Sequence, residues 1–364
     1  MELSYLWDME NHTFDISSGP IIIAGPCSAE SEEQVFATAS ALKQAGIGLF
    51  RAGIWKPRTR PGCFEGVGEP GLPWLGRVRS ELGMMVGTEV AGARHVEACL
   101  AQGLDFLWIG ARTTTNPFLV QEIADALKGT DIPVLVKNPI NPDLALWTGA
   151  IERLYGAGIS SIGLIHRGFS SAEERKYRYA PQWQMAIEMR SRFPGMPFLC
   201  DPSHMSGKRE YIPALAQRAM NLGLDGLMIE SHCCPSQALS DAPQQLTPSE
   251  LEFVLGSLRI RQSDSEDNDY RDNIEHLRSQ IDDIDARIVQ SLAERMNVSR
   301  RIGEFKKEKN IAILQISRWD EVMEKMREEA AIYGLDPEFV GKIYSAIHEA
   351  SVHEQNYVLD SDKK

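Results

Sequence analysis

Phe198-Leu199-Cys200-Asp201-Pro202-Ser203-His204 joins three apolar residues to an Asp-Pro turn signal and then to a serine and a histidine. The triplet predicts a buried strand, and Asp-Pro predicts where it stops. A buried strand ending in polar groups is how a barrel or an open α/β sheet delivers side chains to its carboxyl edge. Seven other runs share the pattern, at 21–24, 48–52, 84–88, 105–109, 134–136, 161–165 and 226–229. They are continuously apolar rather than alternating, as expected of parallel strands covered on both faces. Helix-like segments at 32–44, 92–101, 118–127, 142–156 and 213–222 lie between them. Eight strand-then-helix units predict an α/β fold, a (β/α)8 barrel over 1–262. The longest connection, 55–82, is rich in Gly, Pro and Arg, and a long loop after a barrel strand falls on the catalytic face.

Beyond Arg261 the composition changes. Residues 263–272 are polar and acidic, which predicts an exposed linker. Residues 273–364 contain no strand-like run and predict an all-α domain of three helices, at 273–309, 315–333 and 337–357. The first carries Ile274, Leu277, Ile281, Ile284, Ile288, Leu292 and Met296 at helical spacing. So long a helix cannot bury that face against two shorter ones, which predicts a homodimer through this domain, or a higher homo-oligomer.

The chain of 364 residues has a formal net charge of −13 and a pI near 5.2. That argues against broad nucleic-acid or anionic-membrane binding, which need a basic face. Six cysteines without framework spacing suggest reduced thiols, and residues 1–11 lack the basic start and apolar core of a signal peptide. No apolar run approaches the ~20 residues of a membrane span. A cytoplasmic protein is expected.

In a barrel the strand ends face one cavity, and two groups of side chains gather there. One is cationic: Arg51, Lys56, Arg58, Arg112, Lys137 and Arg167. Six cations in one mouth repel unless anions occupy it, and Arg forks bind phosphate and carboxylate bidentately. The expected substrates therefore carry several phosphate and carboxylate groups. The other group is Cys27, His204, Glu230 and, in the loop after the last strand, Asp241, with Asp201 and His232 as competitors. This mixed S, N and O set suits a divalent transition ion such as Mn, Fe, Co or Zn. The adjacent Cys233-Cys234 pair is poorly placed to chelate one ion.

These residues sit in motifs: GPCS at 25–28, FRAGIWKPRT at 50–59, IGAR at 109–112, VLVKNP at 134–139, HRGF at 166–169, DPSH at 201–204 and IESH at 229–232. In this order, over about 21–258, they resemble the 3-deoxy-D-arabino-heptulosonate 7-phosphate (DAHP) synthases of the class related to 3-deoxyoctulosonate 8-phosphate synthases. KPRT favours the four-carbon substrate. The resemblance implies a metal-dependent condensation of phosphoenolpyruvate with erythrose 4-phosphate, with no organic cofactor. It puts the metal on Cys27, His204, Glu230 and Asp241, and phosphoenolpyruvate on Arg51, Lys56, Arg112, Lys137 and Arg167. The aldehyde's phosphate falls on Pro57, Arg58 and Thr59. Lys56 and Glu89 could handle protons, and Asp201 supports the metal or substrate. The octulosonate synthase activity is the alternative.

The last hundred residues resemble the all-helical chorismate mutases. The pattern is Leu277-Arg278-x2-Ile281-Asp282-x2-Asp285, then Leu292-Ala293-Glu294-Arg295, Gly303 to Lys306, Arg318, and Glu349 to Gln355. The resemblance puts catalytic or binding roles on Arg278, Arg295, Lys306, Arg318, Ser351 and Gln355, with Arg278 able to reach into a partner's site. Gln315 and Trp319 replace the acidic residues of the family, which implies weakened turnover with retained binding. A fusion of this kind belongs to the shikimate pathway. Its helical domain is expected either to convert chorismate to prephenate or to act as a regulatory module for these compounds. A noncatalytic scaffold is the remaining reading.

Overall fold

The computed structural model describes residues 19–56, 62–172, 174, 176–261, 267–314 and 316–360. Two compact units divide the chain, 1–263 and 264–364. Pro57, Arg58, Thr59 and part of the expected linker, 263–266, lie outside the described residues.

The first unit is a closed barrel of eight parallel strands in sequence order. They are β1 (Ile21–Gly25), β2 (Leu49–Arg51), β3 (Met85–Val90), β4 (Phe106–Ile109), β5 (Val134–Lys137), β6 (Ile162–His166), β7 (Phe198–Cys200) and β8 (Gly226–Glu230). Closure sets Gly25 of β1 opposite Glu230 of β8, so the first and last strand ends are neighbours. Side chains alternate across each strand. Ile21, Ile23, Phe106, Trp108, Leu135, Ile165, Leu199 and Met228 form one small cluster, the filling of the barrel. The larger apolar core, with Phe50, Val136, Trp147, Leu164, Phe198 and Leu227, lies between the strands and the helices around them. Both faces of every strand are thus covered, which is why the runs read as continuous.

The predicted helices appear as Glu32–Gln44, Ala93–Gln102, Pro117–Ala126, Leu144–Gly156 and Ile212–Asn221. Two details differ from the sequence reading. The long connection after β2 ends in the helix Leu72–Leu82, which buries Leu72, Leu75 and Val78 at helical spacing. The Asp-Pro signal of the opening stretch starts a short helix, Pro202–Ser206, instead of a plain turn. Asp201 caps it by accepting from the His204 N–H at 3.0 Å, and Pro202 fills the first turn where no N–H is needed.

The second unit consists of the helices Asn268–Glu308, Ile316–Ile332 and Pro337–Asp360. The first starts ahead of the expected 273, because Asp267 accepts from the N–H groups of Asp269 and Tyr270 and so caps it earlier. Its 41 residues span about 60 Å at ~1.5 Å per residue. It packs along the third helix, where the small Ser299 and Ser351 are buried and Gly303 lets the backbones close. A Cβ on Gly303 would lie 3.1 Å from the Cα of Gln355. Leu277, Ile281, Ile284 and Ile288 stay about half exposed along one face. Among the described residues no helix is long and apolar enough to cross a membrane.

Candidate functional site

The carboxyl ends of β1, β7 and β8 bring a thiol and carboxylates together. Cys27, Glu230 and Asp241 each present one donor atom, all within 4.8 Å of one another. Cys27 and Glu230 are fully buried. Cys27 Sγ donates to Asp241 Oδ2 at 3.3 Å, and burial, with Glu230 beside it, pushes this thiol up to about 12. Burial alone would also raise the Asp241 carboxyl, but His204, Arg178 and Lys56 hold it below the usual range.

His204 stands at the edge of this set. Its Nδ1 is 2.7 Å from Asp201 Oδ2 and its Nε2 is 3.6 Å from Glu230 Oε1. Burial holds the imidazole toward its neutral form, against the pull of Asp201 and Glu230. With the Nδ1 proton given to Asp201, the Nε2 lone pair faces Glu230 Oε1, a buried oxygen with no hydrogen-bond partner. Two acceptors facing one another, with a thiol and a second carboxylate alongside, could together hold a divalent transition ion. Mn, Fe, Co or Zn fits these residues.

The competitors separate on geometry. Asp201 is occupied by Lys137 Nζ at 2.7 Å as well as by His204, so it orients the histidine. His232 turns away: its Nδ1 accepts from the Cys234 N–H at 2.8 Å and its Nε2 lies 3.7 Å from Glu30.

Beside this donor set lies a cavity lined by Lys56, Arg112, Lys137 and Arg167, four of the six predicted cations, together with Glu89, His204 and Asp241. Lys56 Nζ donates to the Cys27 carbonyl at 3.0 Å. The Arg167 guanidinium stacks on the Tyr179 ring at 3.5 Å. Burial favours the neutral form of Glu89, but Lys56 and Lys137 outweigh it and keep this carboxyl below its ordinary range. Arg51 is fully buried and is not among the residues lining this cavity; its Nη2 donates to the Cys27 carbonyl at 3.2 Å and lies 3.4 Å from Glu230 Oε1. Its Nε and Nη1 are buried without hydrogen-bond partners. Arg58 and Thr59 fall outside the described residues.

Several side chains escaped the sequence reading. Gln245 Oε1 accepts from the Cys27 N–H at 2.9 Å, and Gln244 Nε2 donates to Glu230 Oε2 at 2.7 Å. Asn138 accepts from the Arg167 N–H at 2.7 Å and donates to the Gly168 carbonyl at 2.9 Å. Arg178 and Tyr179 also face the cavity. Asn138 stands in a motif already quoted. The others lie in loops, where nothing in the chain order says which strand they face.

In the helical unit, Arg295 donates through Nη1 to Ser351 Oγ. Gln355 is buried with its Oε1 unpartnered, and Lys306 Nζ donates to the Ile313 carbonyl at 2.5 Å. Arg295, Ser351 and Gln355 line the contact between the first and third helices. Arg278 stands apart from these groups within one chain. It lies 17 residues before Arg295, about 25 Å along the same helix, and is exposed. Arg318 is exposed as well and pairs with Glu321 at 2.9 Å.

Residues 15–261 match the model of the DAHP synthetase I family, and residues 277–356 match chorismate mutase type II. A phospho-2-dehydro-3-deoxyheptonate aldolase of Thermotoga maritima is 33% identical over 225 residues. The match covers 62% of this chain and 64% of that one, so the chain spans under two thirds of that relative. A crystal structure of DAHP synthase from the same organism superposes with a TM-score of 0.59 at 31% identity, covering 65% of this chain and 67% of that chain. A 2-dehydro-3-deoxyphosphooctonate aldolase of Bradyrhizobium sp. is 29% identical, over 65% of this chain and 86% of that one. The chain belongs to the DAHP synthetase I family, and its barrel is followed by a chorismate mutase type II unit.

Proposed function

We propose that the barrel condenses phosphoenolpyruvate with D-erythrose 4-phosphate and water, giving DAHP and inorganic phosphate. The supporting observation is the juxtaposition of the Cys27–Glu230–Asp241 donor set with the cavity of Lys56, Arg112, Lys137 and Arg167. A trianionic enol phosphate needs several fixed cations, and Arg51 keeps two buried donors without a protein acceptor.

Cys27, Glu230, Asp241 and His204 would hold a divalent ion, which when bound supplies a Lewis acid beside the aldehyde oxygen. The cations hold the enol phosphate with C3 against the aldehyde carbon. The new C–C bond takes its electron pair from the enol double bond. Water adds to C2; the C2–O bond to phosphate then breaks with its pair going to phosphate, while the new C2 hydroxyl gives its remaining proton to the departing phosphate and becomes the keto oxygen. Glu89 and Lys56, both charged and both lining the cavity, stand where the first could take a proton of that water and the second could give one to the oxygen that gains charge.

The second unit rearranges chorismate to prephenate or binds these compounds to restrain the barrel. Arg295, Ser351, Lys306 and Gln355 give one chain's share of the pocket. A partner copy, docked along the exposed face of Leu277, Ile281, Ile284 and Ile288, brings Arg278 to it. Assay of the full chain with erythrose 4-phosphate against arabinose 5-phosphate tests the first reading, since with three carbons from phosphoenolpyruvate a seven-carbon product needs a four-carbon acceptor and an eight-carbon octonate a five-carbon one. Turnover of the pentose phosphate alone would overturn it. Prephenate inhibition of the condensation separates a regulatory helical unit from a purely catalytic one.

A further inference from the structure

The segment 176–182, after β6, carries two side chains that the reading above leaves without a role. It is tied down on two sides. Phe169 and Ala180 exchange backbone hydrogen bonds at 2.9 and 2.8 Å. The Tyr179 N–H donates to the Met205 carbonyl at 3.1 Å and the Arg178 N–H to the Ser206 carbonyl at 3.3 Å. Two glycines in left-handed conformation keep room for it. A Cβ on Gly168, at φ +80°, would meet Tyr179 Cβ at 2.9 Å, and one on Gly207, at φ +67°, would meet Arg178 Cβ at 2.7 Å. Arg178 and Tyr179 are therefore seated by the backbone around them.

From that seat Arg178 Nη1 donates to Asp241 Oδ1 at 3.0 Å and to Gln244 Oε1 at 2.8 Å. Gln244 is 1% exposed, and its Nε2 donates to Glu230 Oε2 at 2.7 Å. One guanidinium thus fixes both carboxylates of the donor set, Asp241 directly and Glu230 through a single amide. It leaves Asp241 Oδ2 and Glu230 Oε1 turned toward Cys27 and His204. On the other side of the segment the Tyr179 ring lies under the Arg167 guanidinium at 3.5 Å.

We propose that Arg178 and Tyr179 are positioning residues for two different ligands. Arg178 sets the carboxylates that take the divalent ion, and Tyr179 aims Arg167 at the phosphate-bearing substrate. The inference rests on the reading that an ion binds at Cys27, Glu230 and Asp241. The Arg178–Asp241 pair is partly buried, its side chains 38% and 15% exposed, so removing Arg178 also lowers stability. Lost ion affinity in a chain that stays folded at the assay temperature, partly recovered by a lysine, is then the signature of positioning.

The test uses the full chain, stripped with chelator, and two probes, Co(II) alone and inorganic phosphate alone. Co(II) is followed by the thiolate-to-cobalt charge-transfer band and phosphate by calorimetry. Arg178→Ala should weaken Co(II) by ~10–100-fold, the cost of losing an outer-shell partner, and Arg178→Lys should recover part of it. Tyr179→Ala should weaken phosphate several-fold and leave Co(II) affinity unchanged, while Tyr179→Phe, which keeps the ring under Arg167 and loses only the hydroxyl, should weaken phosphate less than Tyr179→Ala. Wild-type Co(II) affinity in Arg178→Ala, or wild-type phosphate affinity in Tyr179→Ala, overturns the inference. Absence of the thiolate band in the unsubstituted chain overturns the metal reading and the inference with it.

Discussion

The barrel and the helical unit treat their charged and apolar groups in opposite ways. In the barrel Arg51, Lys137, Arg167, Asp201 and Glu230 are all nearly or fully buried, and each is held by neighbours from other strands of the same chain. In the helical unit Arg278 and Arg318 stand in solvent, while Leu277, Ile281, Ile284 and Ile288 are left about half exposed. A closed barrel brings the ends of eight strands to one place within one chain. A single 41-residue helix spreads its functional groups along about 60 Å and leaves a stripe for another helix to cover. On the reading proposed above, folding of one chain completes the first site, while the second waits for association.

The largest expected effect breaks the barrel side alone. Cys27→Ala should abolish condensation, by far more than the ~10–100-fold cost of an outer-shell change, while the melting temperature and mutase turnover stay near those of the parent. Full condensation activity in that variant after exhaustive chelation would end the metal reading. Next in size is Lys137→Met, which leaves the Asp201 carboxylate buried with one partner fewer. Urea unfolding should report a loss of about 3–5 kcal/mol in the barrel.

The helical side is broken by the double substitution Ile281→Asp, Ile284→Asp. Burying each isoleucine contributes about 1.5–3 kcal/mol, so sedimentation should show the dimer dissociating at least ~100-fold more readily. Mutase turnover should fall with it while condensation persists. An unchanged oligomer would show that this stripe is not the contact.

His166 gives a pH contrast between the units. Burial pushes its imidazole down to about 4 from an ordinary 6.5, since its Nδ1 lies buried without a partner while Nε2 meets the Pro181 carbonyl at 2.6 Å. Between those values the unfolded chain takes up a proton that the folded barrel refuses. The barrel should therefore lose about 3 kcal/mol as pH falls from ~6.5 to ~4 through this group. His166→Gln, which keeps a donor toward Pro181, should flatten that part of the profile. The smallest effect belongs to Arg318→Ala. Its exposed pair with Glu321 contributes less than about 1 kcal/mol to stability, so a large fall in mutase turnover at constant stability would mark a role completed by ligand or partner.

The eight strands were legible because parallel strands buried on both faces must be continuously apolar, and their order followed because each crossover helix advances the barrel by one strand. The strand-end residues were legible for the same reason: Glu230, Lys137 and Arg167 follow directly from where apolar runs stop. Gln244, Gln245, Arg178 and Tyr179 were not, because they reach the site from loops whose path depends on what they pack against. His204 shows both sides. Its place after β7 was written in Asp-Pro-Ser-His, but its ring direction came from Asp201, and Asp201 in turn from Lys137 on another strand.

Periodicity and strand-end chemistry in the chain were enough to fix the barrel, the three-helix unit and most of the residues that gather at the mouth, since local apolar patterning reports burial directly. Only tertiary packing decided that Arg51 is buried against the Cys27 carbonyl and Glu230, that His232 turns to Glu30, and that Arg278 is about 25 Å from Arg295 within one chain. Side-chain direction in a crowded mouth is set by hydrogen bonds between elements far apart in sequence, and those bonds leave no periodic trace.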